Sequence, residues 1–263
     1  MTIPEAPAAL PPGSNASGPA EPVPQRSLGD GEADAVAERY ARRVDPGRYS
    51  MLRVEVWQAV QERQRVMLDL FVRAGLHDLS QPQLLEVGCG AGGNLLELLR
   101  LGFAPQHLSG IELLPERLAL ARAVLPAAVQ LRGGDALLAP VAAQSQDIVF
   151  VSTVFSSLLD NAYQQRLADA MWTWLKPGGA ILWYDFSVDN PRNADVRGVP
   201  LSRVRALFAQ GQLRHRRVTL APPLARALVR VHPVLYRPFN ALPWLRTHVL
   251  AWIEKPGLAG AAR

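Results

Sequence analysis

The chain has 263 residues, of which 49% are hydrophobic and 19% charged, and its 28 lysines and arginines outnumber its 23 acidic residues. This composition excludes a fibrous or wholly disordered protein and provides enough apolar surface for a full-sized core. A single cysteine, Cys89, excludes a disulfide framework. The sequence has no apolar run long enough to span a membrane and no secretory signal, which predicts a cytoplasmic location.

The first 34 residues differ in composition from the rest of the chain. They contain seven prolines and no aromatic residue. Such a segment cannot bury enough apolar surface to offset its ordering entropy, so we predict a disordered tail over residues 1–34. Residues 35–263 are predicted to form one domain, with a core at about 80–186 and a substrate or cap region at about 187–246.

The predicted elements then follow in a regular order. Apolar residues at helical spacing predict a helix over about 50–75. Beyond it, apolar runs alternate with amphipathic helical segments, which indicates a parallel sheet covered on both faces. After residue 186 this alternation of strands and helices ends. The last two predicted strands are separated by an apolar stretch that contains several prolines. The predicted strands are 84–87, 108–111, 129–131, 147–151, 180–184, 216–221 and 247–254; the later helices are 94–101, 116–125, a helix from Asp160 to Pro177, and 202–208.

The most informative stretch is LLEVGCGAGGN at residues 84–94, where a strand, a glycine loop and a helix start follow one another directly. Glycine permits the positive φ values of a sharp turn and lets a ligand approach the backbone. Glu112 ends the next strand, where a carboxylate can accept both hydroxyls of a ribose. These features indicate an adenosine-type ligand, but alone they do not separate a nicotinamide cofactor from S-adenosylmethionine.

Five segments together resemble the class I S-adenosylmethionine-dependent methyltransferases. They occur in the order and at the intervals of that family, and cover about residues 80–186. The resemblance implies a doubly wound α/β fold with a seven-stranded, mostly parallel sheet of order 3-2-1-4-5-7-6 and helical additions. The segments are LLEVGCGAG at 84–92, GIE at 110–112, GDA at 134–136, DIVFV at 147–151 and LKPGG at 175–179.

The resemblance also implies the cofactor, S-adenosyl-L-methionine, and the residues that bind it. The loop glycines Gly88, Gly90 and Gly92 would wrap the methionine portion, and Glu86 and Asn94 would line the methionine end. Glu112, at the end of a strand, would bind the ribose, and Asp135 with Ala136 would lie at the adenine. Cys89 lies in the same loop as a small packing residue, and Ser152 follows the fourth strand, where it can touch the cofactor or form a turn.

Two competing nucleotide-binding readings are disfavoured by the residues themselves. A nicotinamide enzyme needs a second mononucleotide-binding half, whereas the region after residue 186 is Pro-rich and predicted to be antiparallel. A phosphate-binding loop of the pattern G-x-x-x-x-G-K-[ST] requires a lysine after its glycines, and none follows here. The five histidines lack the spacing of metal ligands, so we expect no metal.

Methyl transfer to an alcohol or a charged amine requires a proton acceptor. Asp185, at the end of the fifth strand, is the carboxylate best placed for that role. A purely structural role, in which Asp185 forms a hydrogen bond to a loop, fits the sequence at least as well. Residues 190–246 hold eleven arginines and one acid, and Arg192 and Arg197 follow the fifth strand directly. We expect these two to contact an acceptor with anionic groups, if the charge is functional rather than a solvated face.

The sequence therefore predicts a methyltransferase that acts on an oxygen of a small molecule or glycan. A cofactor-binding module without catalysis remains an alternative. So does a peripheral membrane protein, because apolar residues alternate with arginines in the stretch from Pro222 to Leu245. Weak membrane-surface contact is accordingly expected, whereas nucleic acid is not, since no recognition motif accompanies the basic residues.

Overall fold

The computed structural model describes residues 31–42, 47, 49–191 and 193–257. In this part of the chain, helices lie on both faces of one central sheet. Short 3-10 turns follow several strands and connect the last helices. The helices are α1 (Glu32–Ala41), α2 (Val54–Arg73), α3 (Gly93–Leu101), α4 (Pro115–Val124), α5 (Asn161–Trp174), α6 (Leu201–Leu207), α7 (Pro222–Val231) and α8 (Tyr236–Asn240).

The sheet has seven strands in the order β3-β2-β1-β4-β5-β7-β6. The first five are parallel to one another, and β7 runs antiparallel to both of its neighbours. This confirms the fold class and the strand order predicted above. The strands are β1 (Leu84–Val87), β2 (Leu108–Glu112), β3 (Gln130–Gly133), β4 (Gln146–Ser152), β5 (Leu175–Phe186), β6 (Gln212–Leu220) and β7 (Arg246–Glu254).

Alternate residues of the central strands feed two separate apolar cores. On one face, Val151 and Trp183 pack with the buried side of α5. On the other, Phe150 and Leu182 pack with α2 and α3. Because successive side chains of a strand point to opposite faces, a continuous apolar run fills both cores at once.

Local sequence explains where several helices begin and end. The Asp160 side chain accepts bonds from the backbone N–H groups of Ala162 and Tyr163, which caps α5 as predicted. Pro115 occupies the first turn of α4, where its missing N–H costs nothing. Gly102 ends α3 with a φ of 113°, a conformation that glycine adopts without steric cost.

Several predicted boundaries differ from the structure: β5 begins at Leu175 rather than 180, and β6 at Gln212 rather than 216. At two further boundaries, contacts distant in sequence decide the outcome. Helix α1 begins at Glu32, inside the predicted tail, and the Glu32 carboxylate accepts a bond from the backbone N–H of Leu159. Residues 1–30 of that tail lie outside the described residues. Helix α5 ends at Trp174 rather than Pro177, because Leu175 already pairs with Gln146 in the sheet.

The chain connection between β6 and β7 lies at the functional edge of the sheet. Since β7 is antiparallel to β5, its first residues stand beside the carboxyl end of β5, where His248 pairs with Phe186. Leu220, at the end of β6, pairs with Arg246. Residues 222–245 therefore cover the same sheet edge from which the glycine loop emerges.

Candidate functional site

The glycine loop between β1 and α3 adopts a backbone that side chains would obstruct. Gly88, Gly90 and Gly92 have φ values of 71°, 58° and 84°. A Cβ on Gly88 would lie 2.5 Å from a methyl of Val154, and one on Gly90 would lie 2.5 Å from Nη2 of Arg117. The backbone conformation therefore favours glycine at all three positions, and at Gly88 the methyl of Val154 also leaves no room for a Cβ.

Glu112 ties this loop to the end of β2. Its side chain is buried, and its Oε2 accepts a bond of 2.7 Å from the Gly90 N–H while Oε1 accepts one of 3.0 Å from the Leu114 N–H. A carboxylate has about four acceptor positions. Two of them remain for hydroxyl groups of a ligand, as a ribose-binding role requires.

A cavity of about 100 Å³ lies at this edge of the sheet. Its walls come from the ends of β1, β2 and β4, the turn after β3, and the side chains of α1 and α5. The structure thus brings together residues that are widely spaced in the sequence. The predicted cofactor-binding residues in its lining are Gly88, Glu112, Asp135, Ala136 and Ser152.

Asp135 is held by two bonds in the wall of the cavity. Its Oδ1 accepts a bond of 2.9 Å from the Leu137 N–H and another from the Tyr163 hydroxyl. Burial raises the pKa of Tyr163, so this phenol remains a donor at neutral pH. No motif in the sequence connects residues 135 and 163, so this bond could not be predicted from it.

Helix α1 forms a roof over the cavity, which the sequence analysis missed entirely. Ala33, Val36 and Tyr40 line the cavity from above. Arg39 fastens the helix: it pairs with Glu32 at 2.7 Å and donates a bond of 2.9 Å to the carbonyl oxygen of Ser157. The helix has no recognisable motif, and its place depends on contacts more than 100 residues away.

Arg117 completes the roof beside the glycine loop. Its guanidinium lies 5.2 Å from the centre of the Tyr40 ring, in cation–π contact. It also lines the cavity, close to Gly90. The side chain therefore joins α1 to the loop and lies where it can meet the charged end of a ligand.

Glu86 and Asn94 lie behind the loop rather than in the cavity lining. Glu86 is 0% exposed, and its Oε1 accepts a bond of 2.6 Å from the Asn94 amide. Among the described residues, its Oε2 has no hydrogen-bond partner. Burial raises the pKa of this carboxyl to about 8. A buried acceptor without a partner fits a ligand that carries ammonium or sulfonium charge nearby.

Cys89 and Gly92 support the loop from inside. The Cys89 thiol packs so closely on Gly110 that a Cβ there would lie 2.7 Å from Sγ. Burial raises the pKa of the thiol, which keeps it protonated. Gly92 precedes α3 and leaves no room for a Cβ beside Leu125. Neither residue lines the cavity, so their contacts describe packing.

Asp185 lies at the end of β5 and outside the cavity lining. Its Oδ2 accepts a bond of 3.0 Å from the Ser156 N–H, and its Oδ1 accepts one of 2.9 Å from the Phe186 N–H. Burial raises the pKa of the carboxyl to about 7. The residue therefore stabilises the turn after β4, and its carboxyl can exchange a proton near neutral pH.

Of the two arginines predicted to contact the acceptor, only Arg197 lies in the described part of the chain. Its N–H donates a bond of 2.8 Å to the Ser156 carbonyl oxygen, and its guanidinium donates to the Asn161 side chain. Arg192 lies outside the described residues. In the described ranges no cluster of three potential metal ligands occurs, and no helix is long and apolar enough to cross a membrane.

A family model described as a methyltransferase domain matches residues 84–179. By sequence, no protein of curated function matches the chain. Among solved structures, an S-adenosylmethionine-dependent methyltransferase from Mesorhizobium loti has a TM-score of 0.51 at 15% identity, covering 70% of this chain and 95% of its own. One from Archaeoglobus fulgidus has a TM-score of 0.52 at 12% identity, covering 73% and 94%.

A third structure contains the cofactor itself. Phosphoethanolamine N-methyltransferase 2 of Haemonchus contortus, in complex with S-adenosyl-L-methionine, has a TM-score of 0.52 at 16% identity, covering 73% of this chain and 52% of its own. At these identities the likeness describes the fold, whereas the family match covers the strands and loops that form the cavity. Residues 84–179 therefore match a methyltransferase domain, and the chain has the fold of S-adenosylmethionine-dependent methyltransferases.

Proposed function

We propose that this methyltransferase acts on an oxygen of a small molecule or glycan, with Asp185 as the proton acceptor. S-adenosylmethionine, when bound, supplies a methyl group on a sulfonium centre. An alcohol must lose a proton as it attacks that carbon. The proposal therefore needs a base near the carboxyl ends of β4 and β5.

We assign the binding of the cofactor to the strand ends and loops that line the cavity between β1, β2 and β3. Gly88 and Gly90 approach the methionine portion through their backbone, Glu112 accepts from the ribose, and Asp135 with Ala136 borders the adenine. Glu86 and Asn94 would contribute from behind the loop, where a positively charged ligand would favour the ionised form of the Glu86 carboxyl. The paired bonds of Glu112 to Gly90 and Leu114 support this assignment, because they align the loop with the strand end.

The observation that carries the choice of oxygen is the buried carboxyl of Asp185. Its pKa, raised to about 7 by burial, suits a general base at neutral pH, which must be deprotonated yet still able to take a proton. Its two oxygens each accept one backbone bond and retain further acceptor positions. A small shift of the turn at 155–157 would give an acceptor hydroxyl access to it.

The positive charge of the region that follows β5 supports a methyl acceptor with anionic groups. Between Val196 and Ile253 the sequence has no Asp or Glu. Arg197 is the first arginine of this stretch, and it lies next to the first turn of α5. A sugar acid or a phosphorylated glycan matches such a surface better than a cationic amine does, because a cation would be repelled.

The test is transfer of labelled methyl from S-adenosylmethionine to fractions of cell extract, followed by identification of the methylated atom. We expect a methyl ether or ester, and a turnover that rises with pH through about 7. Asp185→Asn should abolish that rise and lower turnover by about 100-fold, the typical effect of a general base, while cofactor affinity is kept.

The matched control is Asp169→Asn, which changes an exposed carboxylate of α5 and should leave the pH profile unchanged. A label found only on nitrogen or carbon would contradict the proposed acceptor. Normal turnover and an unchanged pH profile in Asp185→Asn would exclude this residue as the base, even if oxygen is the methylated atom.

A further inference from the structure

The connection between β6 and β7, residues 222–245, forms a small folded unit that we call the cap. It comprises α7, α8 and two 3-10 turns. Its inner side has its own apolar cluster, in which Ala225 and Tyr236 are buried together with Leu220 of β6. The cap is thus a packed part of the fold.

The outer side of the cap exposes large apolar side chains. Val231 is 78% exposed, Val234 64% and Trp244 72%. They come from the end of α7 and from the two 3-10 turns, so they belong to the same unit. Several large apolar side chains exposed on one small unit are typical of a surface that contacts an apolar phase or partner.

The cap also carries arginines, and its sequence contains no acidic residue to neutralise them. Arg226 and Arg230 are one helical turn apart on α7, on the side away from the buried Ala225, and Arg237 is exposed on α8. Within the described residues none of the three has an ion-pair partner. No acidic residue occurs between Val196 and Ile253, so the cap itself contains no negatively charged side chain.

We propose that the cap docks this protein on a membrane whose surface carries anionic phospholipids. The apolar side chains enter the headgroup region, and the arginines extend their charged ends to lipid phosphates. Nucleic acid would satisfy the arginines but would leave Val231, Val234 and Trp244 without apolar contacts. A protein partner would need a matching acidic and apolar face, whereas an anionic bilayer offers both properties at once.

The location of the cap gives this contact a functional consequence. The cap lies at the carboxyl edge of the sheet, the edge that also holds the cofactor cavity. A protein docked through it would present its active site to molecules at the bilayer surface. The docking itself does not depend on which atom is methylated, so the two proposals can fail separately.

The experiment is co-sedimentation of the full-length protein with vesicles of phosphatidylcholine, with and without phosphatidylglycerol. Binding is expected only with the anionic lipid. The double variant Arg230→Gln with Arg237→Gln should lower the vesicle partition constant by about tenfold or more, since each basic residue near an anionic surface contributes substantially. Trp244→Ser should lower it without any change in net charge.

The matched control is Arg100→Gln with Arg122→Gln, which removes the same charge from exposed positions on α3 and α4. It should change partition by less than about twofold. Equal losses in the two double variants would overturn the proposal, because they would reflect net charge alone. So would equal binding to neutral vesicles, no binding at all, or an undiminished partition of Trp244→Ser. Unchanged cofactor affinity in each variant verifies its fold.

Discussion

The floor and the roof of the cavity at the carboxyl edge of the sheet are built in different ways. The floor consists of strand ends and loops between residues 84 and 136, where backbone N–H groups donate bonds to the carboxylates of Glu112 and Asp135. The roof is α1, which contributes Ala33, Val36 and Tyr40 from far upstream. The floor depends on particular residue types, whereas the roof depends on packing and on the hydrogen-bonded ion pair of Arg39 with Glu32.

This difference separates residues that define a binding site from residues that enclose it. A positive φ or a bond to a carboxylate tolerates few substitutions, because a strained backbone or an unpaired buried group costs free energy directly. A covering helix can shift or exchange one apolar side chain for another at lower cost. Substitutions in the floor should therefore weaken cofactor binding more than substitutions in the roof.

The largest effect is expected for Gly88→Ala, which places a methyl group against Val154 at a φ of 71°. The strained backbone and the overlap together should cost about 2 to 5 kcal/mol, seen as lost cofactor affinity in calorimetry. Gly93→Ala is the control, since a Cβ there meets nothing within 4 Å and no positive φ is involved. Equal affinities in the two variants would show that the loop conformation does not matter.

Beneath the floor, Glu86→Gln should change how stability depends on pH. Burial raises the pKa of Glu86 from 4.5 to about 8, so the folded state prefers the protonated form. Its contribution to stability is full below about pH 4.5 and is lost as the pH rises through about 8. At pH 9 the variant should be more stable than the original protein by about 2 to 4 kcal/mol, and near pH 4 the two should be alike.

Denaturant unfolding at a series of pH values measures this difference. The comparison with the original protein at each pH removes the effect of other groups, including Asp185, whose pKa is raised in the same direction. A constant difference between the two proteins from pH 4 to pH 9 would mean that Glu86 is not neutral in the folded state.

For the ribose end of the floor, Glu112→Ala should weaken cofactor binding by about 1 to 3 kcal/mol. The substitution leaves the N–H groups of Gly90 and Leu114 without their acceptor and removes the carboxylate proposed for the ribose. Glu116→Ala removes an exposed carboxylate four residues later and serves as the control in calorimetry. An unchanged affinity in Glu112→Ala would contradict the ribose role.

The roof should give the smallest effect. Arg39→Ala removes the pair with Glu32 and the bond to Ser157, so α1 should open more often and the cofactor should dissociate about 3- to 10-fold faster. Arg42→Ala removes an exposed pair with Asp195 and should change the dissociation rate little. If stopped-flow measurements give the same rate for both variants, α1 does not retain the cofactor.

The same division explains what could be predicted before the structure was known. The glycine loop, Glu112 and Asp135 follow from short motifs, because each role needs particular residue types within a few positions. Tyr163, Arg117 and α1 carry no such motif. Their roles arise because the chain returns to the same edge of the sheet from distant positions, as the bond between Tyr163 and Asp135 illustrates.

The sequence alone determined the seven strands, the five helices from α2 to α6, the glycine loop and the carboxylate at the end of β2, since hydrophobic period and backbone conformation are local properties. Only the tertiary structure decided where α1 begins, which side chains close the cavity, and that Asp185 lies outside its lining with both oxygens bonded to backbone. Those outcomes depend on burial and on contacts between residues far apart in the chain, which no local pattern encodes.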